Sequence, residues 1–112
     1  MSVYDLDLFL DQTYEIKLGG DIYKLPKQPL TGLHKKITAL QMKLRDEMKK
    51  PEEEMDGNKI QELAIECVVL ILSQDKTKKV NAKFIEENLN TMQMQKIIEI
   101  FFKEFQEIEE KN

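Results

Sequence analysis

Residues 14–26, YEIKLGGDIYKLP, decide how the N-terminal part of the chain folds. Apolar and polar side chains alternate on both sides of Gly19-Gly20. A glycine pair between two such runs is typical of a β-hairpin, because the tight turn needs positive φ angles. With the glycines as the loop, the expected register pairs Ile16 with Tyr23, Tyr14 with Leu25 and Glu15 with Lys24. The first two pairs form a buried face and the third stays in water. Pro26 and Pro29 end the sheet, since proline cannot donate to a neighbouring strand.

Apolar residues recur at steps of three and four from about residue 30 onward, which predicts helices. The first apolar stripe consists of Leu30, Leu33, Ile37, Leu40, Leu44 and Met48. We expect Pro51 to end this helix. Asn58 and Gln61 are the expected capping pair of a second helix. Its stripe consists of Ile60, Leu63, Ala64, Cys67 and Ile71.

Asparagine residues mark two further helix starts. Asn81 is expected to cap a short helix that holds Phe84, Ile85 and Leu89. Asn90 and Gln93 form the capping pair of a final helix. The stripe of that helix consists of Met94, Ile97, Ile98, Phe101, Phe105 and Ile108.

These patterns predict an α+β fold, mostly α, in which an N-terminal β-hairpin precedes a bundle of three to four helices. We expect a single domain over residues 1–112, without a linker of the kind that separates domains. Its parts are an arm over 1–13, the hairpin over 14–25, the helical bundle over 30–109 and a frayed tail over 110–112. Residues 3–10 suit either a short strand or a docking arm.

The composition excludes several classes of function. With 17 basic and 21 acidic side chains the net charge is −4, so the protein as a whole repels nucleic acid and anionic lipid. Asp5 and Asp7 stand where a signal peptide needs a positive charge. The longest apolar run, Cys67–Leu72, has six residues, whereas a membrane span needs about 20. We therefore expect an intracellular protein with no membrane partner.

No motif predicts a catalytic, cofactor-binding or metal site. Residues 52–57 resemble the first half of a calcium-binding loop, but its twelfth position, which must supply a bidentate carboxylate, is Leu63. The single histidine, His34, could pair with the single cysteine, Cys67. However, Cys67 lies on an apolar stripe, and a reactive thiolate needs an exposed, electropositive setting. We expect His34 to be a surface residue and the protein not to be an enzyme.

A compact basic cluster consists of Lys76, Lys78, Lys79 and Lys83. It suggests a small DNA-binding regulator as one alternative. The last helix would then be the recognition helix of a helix-turn-helix, but it presents Ile97, Ile98 and Phe101 instead of polar groups that read bases. Because the net charge also opposes such binding, we do not expect a nucleic-acid partner.

Five apolar side chains exceed what one face per helix needs to build a core. They lie off the main stripes of the second and last helices: Ile65, Val69, Leu72, Ile100 and Phe102. Two explanations stay open. Either neighbouring elements enclose the second helix on all sides, or these five residues form a protein interface. The hairpin edge offers a second route to association by strand addition, and a homo-oligomer is one form this could take.

The order of the parts resembles a known family. An acidic and apolar arm precedes the hairpin at 14–26, a Gln-Asp-Lys stretch at 74–76 leads into FIEENL at 84–89, and a long amphipathic helix closes the chain. Over roughly residues 14–108, this order is similar to that of the small tail assembly chaperones of long-tailed bacteriophages and prophages of Gram-positive bacteria.

The resemblance implies a function. Members of this family bind the tape measure protein, keep its long apolar helices soluble and help to recruit tail tube subunits in the cytoplasm of the bacterial host. They are not enzymes and need no cofactor. Surplus apolar surface on a small acidic domain agrees with such a role. The alternative is a phage structural adaptor, such as a head–tail completion protein, which stays in the particle.

Overall fold

The computed structural model describes residues 2–7 and 12–106 of the chain. In this part of the chain, a two-stranded antiparallel hairpin is followed by four α-helices. In chain order the elements are β1 (Thr13–Leu18), β2 (Asp21–Pro26), α1 (Thr31–Met48), α2 (Gly57–Leu72), α3 (Ala82–Asn88) and α4 (Thr91–Gln106), with a 3₁₀ turn at Glu52–Glu54 between α1 and α2. The α+β, mostly α, fold predicted from the sequence is confirmed. None of the described helices is both long enough and apolar enough to cross a bilayer.

The hairpin has the register that the alternating pattern predicts. Ile16 lies opposite Tyr23, Tyr14 opposite Leu25 and Glu15 opposite Lys24. Both loop glycines have positive φ angles, 60° at Gly19 and 87° at Gly20. Residues with a Cβ rarely adopt positive φ angles. In a two-residue hairpin loop, these angles match the twist of the two strands. The turn chemistry and the alternation therefore specify one pairing.

The helix α2 is the centre of the molecule. It packs against α1 on one side, α4 on another, and also against α3 and β2. Its buried residues lie on more than one face: Leu63, Ala64, Cys67, Val68, Ile71 and Leu72. The inner face of the hairpin and the apolar stripe of α4 join them in one hydrophobic core. An ion pair of 3.6 Å between Lys27 and Glu104 also links the end of the hairpin to α4.

The helix caps agree with the sequence in two of three cases. The Asn81 side chain accepts a hydrogen bond from the Phe84 N–H at 2.8 Å. Asn90 and Gln93 exchange two reciprocal bonds of 2.8 Å. The predicted Asn58 cap of α2 is wrong. The carboxylate of Asp56 caps α2 instead, because it accepts the N–H groups of Asn58 and Lys59, so the helix begins earlier than expected.

The predictions for Leu30, Met48 and the two ends of the chain either need correction or concern residues that the structure does not describe. Leu30 and Met48, the ends of the predicted stripe on α1, are exposed because the helix extends past the core at both ends. Residues 2–7 form no strand and contain a 3₁₀ turn at residues 6–7, which favours the docking arm for the part that is described. Residues 8–11 and 107–112, including Ile108, the end of the predicted bundle and the tail, lie outside the described residues.

Candidate functional site

A groove runs between α1 and α4. Both helices pack against α2, and they meet each other where His34 of α1 stacks on Phe105 of α4. One half of the groove has a volume of about 440 Å³. Its walls are formed by Thr38, Gln41, Met42 and Arg45 on α1 and by Ile98, Glu99, Phe102 and Lys103 on α4. Phe102, which the sequence predicts at an interface, therefore lines this groove.

The other half of the groove continues toward the beginning of α4. It has a volume of about 320 Å³, and Ile60 and Ala64 of α2 contribute to its lining. Gln41, Ile98 and Glu99 border both halves, so the two form one groove. The lining residues of α4 run from Thr91 to Lys103, a length of about 18 Å at 1.5 Å per residue. This α1–α4 groove is long enough to hold three turns of a helix.

The chemistry of the α1–α4 groove combines methionines with a polar rim. Met42 and Met48 on α1 are 59% and 51% exposed. Methionine side chains are flexible and polarisable, so they adapt to apolar partners of different shape. Two buried atoms of the lining, Thr38 Oγ1 and Gln41 Oε1, have no hydrogen-bond partner among the described residues. The groove therefore presents adaptable apolar contacts, and two polar atoms buried in its wall lack a partner among the described residues.

A cluster of aromatic rings supports one end of the groove. The His34 ring stacks on Phe105 with 4.4 Å between ring centroids, and it also lies 6.2 Å from Phe101. Phe101 in turn packs edge-to-face against Phe102 at 5.1 Å. His34 is therefore half-buried in an aromatic cluster, and the prediction of a surface histidine is wrong. The cluster holds Phe102 in place at the groove wall.

A second groove lies on the other side of α1, where α1, α2 and the start of α3 meet. Its volume is about 400 Å³. Leu40, Ile65, Val69, Leu70 and Val80 supply most of its apolar lining. Ile65 and Val69 are half-buried there and pack against the core. Two of the predicted interface residues therefore lie in this second groove, apart from Phe102.

The structure separates the five residues that the sequence predicts as an interface. Leu72 is 0% exposed, so the prediction that it faces a partner is wrong, because neighbouring elements enclose this part of α2. Ile100 is half-buried against the core and lines neither groove. Of the five, only Phe102 lies in the longer α1–α4 groove. Sequence reasoning suggested adaptable partner contacts for Met42 but missed Gln41 of that groove, although it flanks the apolar stripe of α1.

Two buried carboxylates, Glu47 and Asp75, connect neighbouring elements of the fold. The sequence analysis did not identify either of them as a candidate residue. Glu47 accepts the Asp56 N–H at 3.1 Å and lies 3.0 Å from Lys50 Nζ and 3.4 Å from Lys59 Nζ. These contacts, the backbone bond foremost, hold the pKa of Glu47 below its usual value. Because Asp56 caps α2, Glu47 joins the end of α1 to the start of α2. Its position three residues after Leu44 on the apolar stripe is the signal that could have revealed it.

Asp75 makes a similar connection between the loop after α2 and the hairpin. It accepts the Lys24 N–H at 2.9 Å, the Thr77 N–H at 3.0 Å and the Thr77 hydroxyl at 2.6 Å. The hydroxyl bond is the largest cause of a lowered pKa at Asp75. An aspartate that bonds to the residue two positions later is a recognised turn pattern, and that pattern is visible in the sequence. We conclude that Glu47 and Asp75 have structural roles.

The remaining candidate groups offer little chemistry. Cys67 is fully buried, and burial raises the pKa of its thiol to about 11. Lys78 lies over the Tyr23 ring at 5.4 Å, and Lys83 is 3.8 Å from Glu87. Lys78 and Lys83 of the predicted basic cluster thus each contact another side chain of this chain. Among the described residues, no group of three or more His, Cys, Asp or Glu side chains is placed to hold a metal ion.

Comparisons with protein-family models, curated proteins and solved structures find no significant match to this chain.

Proposed function

We propose that the protein is a non-enzymatic assembly chaperone that holds an amphipathic helix of a partner protein in the α1–α4 groove. The observation that carries this proposal is the groove itself. It is about 18 Å long, its floor includes the apolar side chains of Met94 and Ile98, and both of the helices that border it pack against α2.

A helix suits this groove better than an extended peptide does. An amphipathic helix presents apolar side chains at steps of three, four and seven residues, which form a stripe along one face. Phe102, Ile98 and Met94 are spaced by four residues on α4 and line the groove in the same way. Two such stripes can interdigitate by ridge-into-groove packing. The exposed Met42 and Met48 supply adaptable contacts from the opposite wall.

The resemblance to phage tail assembly chaperones suggests which partner supplies the helix. We propose the tape measure protein, whose apolar helices need protection before the tail assembles, with recruitment of tail tube subunits as a second step. Both steps would take place in the cytoplasm of the bacterial host. Neither step needs a cofactor or a catalytic group, which agrees with the structural roles of Glu47 and Asp75.

The test is co-expression of this chain with helical fragments of a phage tape measure protein. We expect a complex that keeps the fragment soluble and that survives size-exclusion chromatography. Met42→Lys places a charge on the exposed groove wall and should abolish capture of the fragment. Met92→Lys, at a 79% exposed methionine that lines neither groove, is the matched control and should leave capture unchanged. Val69→Lys alters the second groove, where Val69 packs against the core, and should also leave capture unchanged. Circular dichroism checks that each variant is folded.

Two results would contradict the proposal. The fragment could remain insoluble in the presence of the chain, which would exclude the chaperone role. Alternatively, Val69→Lys could abolish capture while Met42→Lys does not, which would place the binding site in the second groove.

A further inference from the structure

The outer edge of β1 carries backbone groups that nothing in the described structure uses. In this hairpin Lys27 donates its N–H to the Gln12 carbonyl at 2.9 Å. Along β1, residues that bond to β2 alternate with residues whose N–H and C=O point outward. The bond between Gln12 and Lys27 fixes which residues of the register belong to each set. Thr13, Glu15 and Lys17 belong to the outward set. No hydrogen bond to these backbone groups occurs among the described residues, so β1 is a free edge strand.

The outer edge of β2 differs, because it is obstructed. The Lys24 N–H, which points outward by the same alternation, donates to the Asp75 carboxylate at 2.9 Å. Pro26 has no N–H to offer. Strand addition to this sheet is therefore favoured on the β1 side.

We propose that β1 pairs antiparallel with β1 of a second copy of this chain, about a two-fold axis at Ile16. This register places Glu15 opposite the partner's Lys17 and Lys17 opposite the partner's Glu15. All four of these residues are in the outward set, so they can form backbone hydrogen bonds across the axis. The two hairpins then form one four-stranded sheet.

The side chains of β1 are self-complementary in this register. Glu15 and Lys17 are exposed on the same face, so the pairing forms two cross-strand ion pairs of opposite charge. On the other face, Ile16 meets the partner's Ile16, and Tyr14 meets the partner's Leu18. These three side chains are already buried in the core of their own chain, each at 9% exposure, so the pairing depends mainly on the backbone hydrogen bonds and the ion pairs.

Other antiparallel registers lack this match. A two-fold axis at Glu15 or at Lys17 places two like charges directly opposite each other, which is unfavourable. An axis at Tyr14 pairs Glu15 with the partner's Thr13, and an axis at Leu18 pairs Lys17 with the partner's Gly19. The charge pattern therefore selects the axis at Ile16 and identifies the occupant of the edge as a second copy.

The test is sedimentation velocity over a series of protein concentrations up to about 1 mM, because a contact limited to one strand edge is small. We expect a reversible monomer–dimer equilibrium. Glu15→Lys alone and Lys17→Glu alone should each weaken the dimer about tenfold or more, since each places like charges in both symmetric pairs. The double variant Glu15→Lys/Lys17→Glu restores opposite charges and should return the dimer to near its original strength.

A matched proline pair tests the edge directly. Lys17 and Ile22 lie opposite each other in the hairpin, and both N–H groups point outward, on opposite edges of the sheet. Lys17→Pro removes a donor from the β1 edge and should abolish the dimer. Ile22→Pro removes the corresponding donor from the β2 edge and should leave the dimer intact.

Several results would overturn the proposal. These are a monomer at every concentration, a double charge variant as weak as the single ones, or a dimer lost with Ile22→Pro and kept with Lys17→Pro. If a proline variant unfolds the hairpin, as cross-strand NMR contacts would show, the charge exchange alone decides. The result is independent of the proposed function, because Met42→Lys in the α1–α4 groove should leave this dimer unchanged.

Discussion

Phe101 and Phe102 are neighbours in the chain, but we expect their replacement by alanine to have different effects on the unfolding free energy and on partner capture. Phe101 is 2% exposed in the core, whereas Phe102 is half-buried and lines the α1–α4 groove. Both positions lie inside α4, so the change in helix propensity is the same for the two variants. Any difference in their unfolding free energy therefore reports the difference in packing.

The magnitudes follow from what surrounds each ring. Phe101→Ala leaves a closed cavity in the core and should cost about 3–5 kcal/mol of unfolding free energy. For a domain of this size, this corresponds to a fall in melting temperature of roughly 12–30 °C. Phe102→Ala loses its edge-to-face contact with Phe101 and part of its burial, but water can enter the open groove. We expect it to cost only about 1–2 kcal/mol.

Urea unfolding followed by circular dichroism measures both free energies by linear extrapolation. The same two proteins are then tested for capture of a tape measure fragment. Phe102→Ala should lose capture, because it removes a side chain that lines the groove. Phe101→Ala removes only the ring that supports Phe102 and should weaken capture less. If Phe101→Ala cost less than about 1 kcal/mol, the assigned buried face of α4 would be wrong. If the two variants were equally destabilised, Phe102 would belong to the core and not to the groove.

Three further predictions concern the buried polar and thiol groups. Asp75→Ala leaves the Lys24 N–H without its acceptor and should cost about 1.5–3 kcal/mol in urea unfolding, whereas an unchanged stability would show that water replaces the carboxylate. The pKa of Glu47 is lowered in the folded state, so its contribution is present above the unfolded pKa near 4 and is lost as the pH falls through the folded value. Glu47→Gln should therefore flatten the loss of stability that occurs as the pH falls below the unfolded pKa of a glutamate, and an unchanged pH profile would contradict this. Cys67, with its pKa raised to about 11 by burial, should react with a thiol reagent at pH 8 only after denaturation, and rapid labelling of the native protein would refute its burial.

The α1–α4 groove and the β1 edge give this small protein two separate surfaces for association. The groove is lined by side chains of α1, α2 and α4, and the edge consists of backbone groups of β1. The proposed dimer uses no residue that lines the α1–α4 groove. Under both proposals one dimer carries two such grooves, which raises the effective concentration for a partner with several helices.

Local features of the sequence were sufficient to predict the hairpin and most of the helix positions. The register from Ile16–Tyr23 to Tyr14–Leu25 depends on a glycine turn and on alternation within 13 residues. The Asn81 and Asn90 caps likewise depend on residues three positions apart. The Asn58 cap failed for a related reason, since Asp56 is a competing cap two residues earlier. Such patterns are readable because the interacting groups are close in the chain.

The sequence by itself determined that α2 has more apolar residues than one face requires, and that Phe102 lies off the main stripe of α4. Only the tertiary structure decided that Leu72 is enclosed, that Val69 and Phe102 line different grooves, and that His34 of α1 packs against the aromatic rings of α4. The physical reason is that periodicity specifies the direction of each side chain on its own helix. Which neighbour covers that direction depends on how the helices pack together, and this packing involves residues that are far apart in the chain.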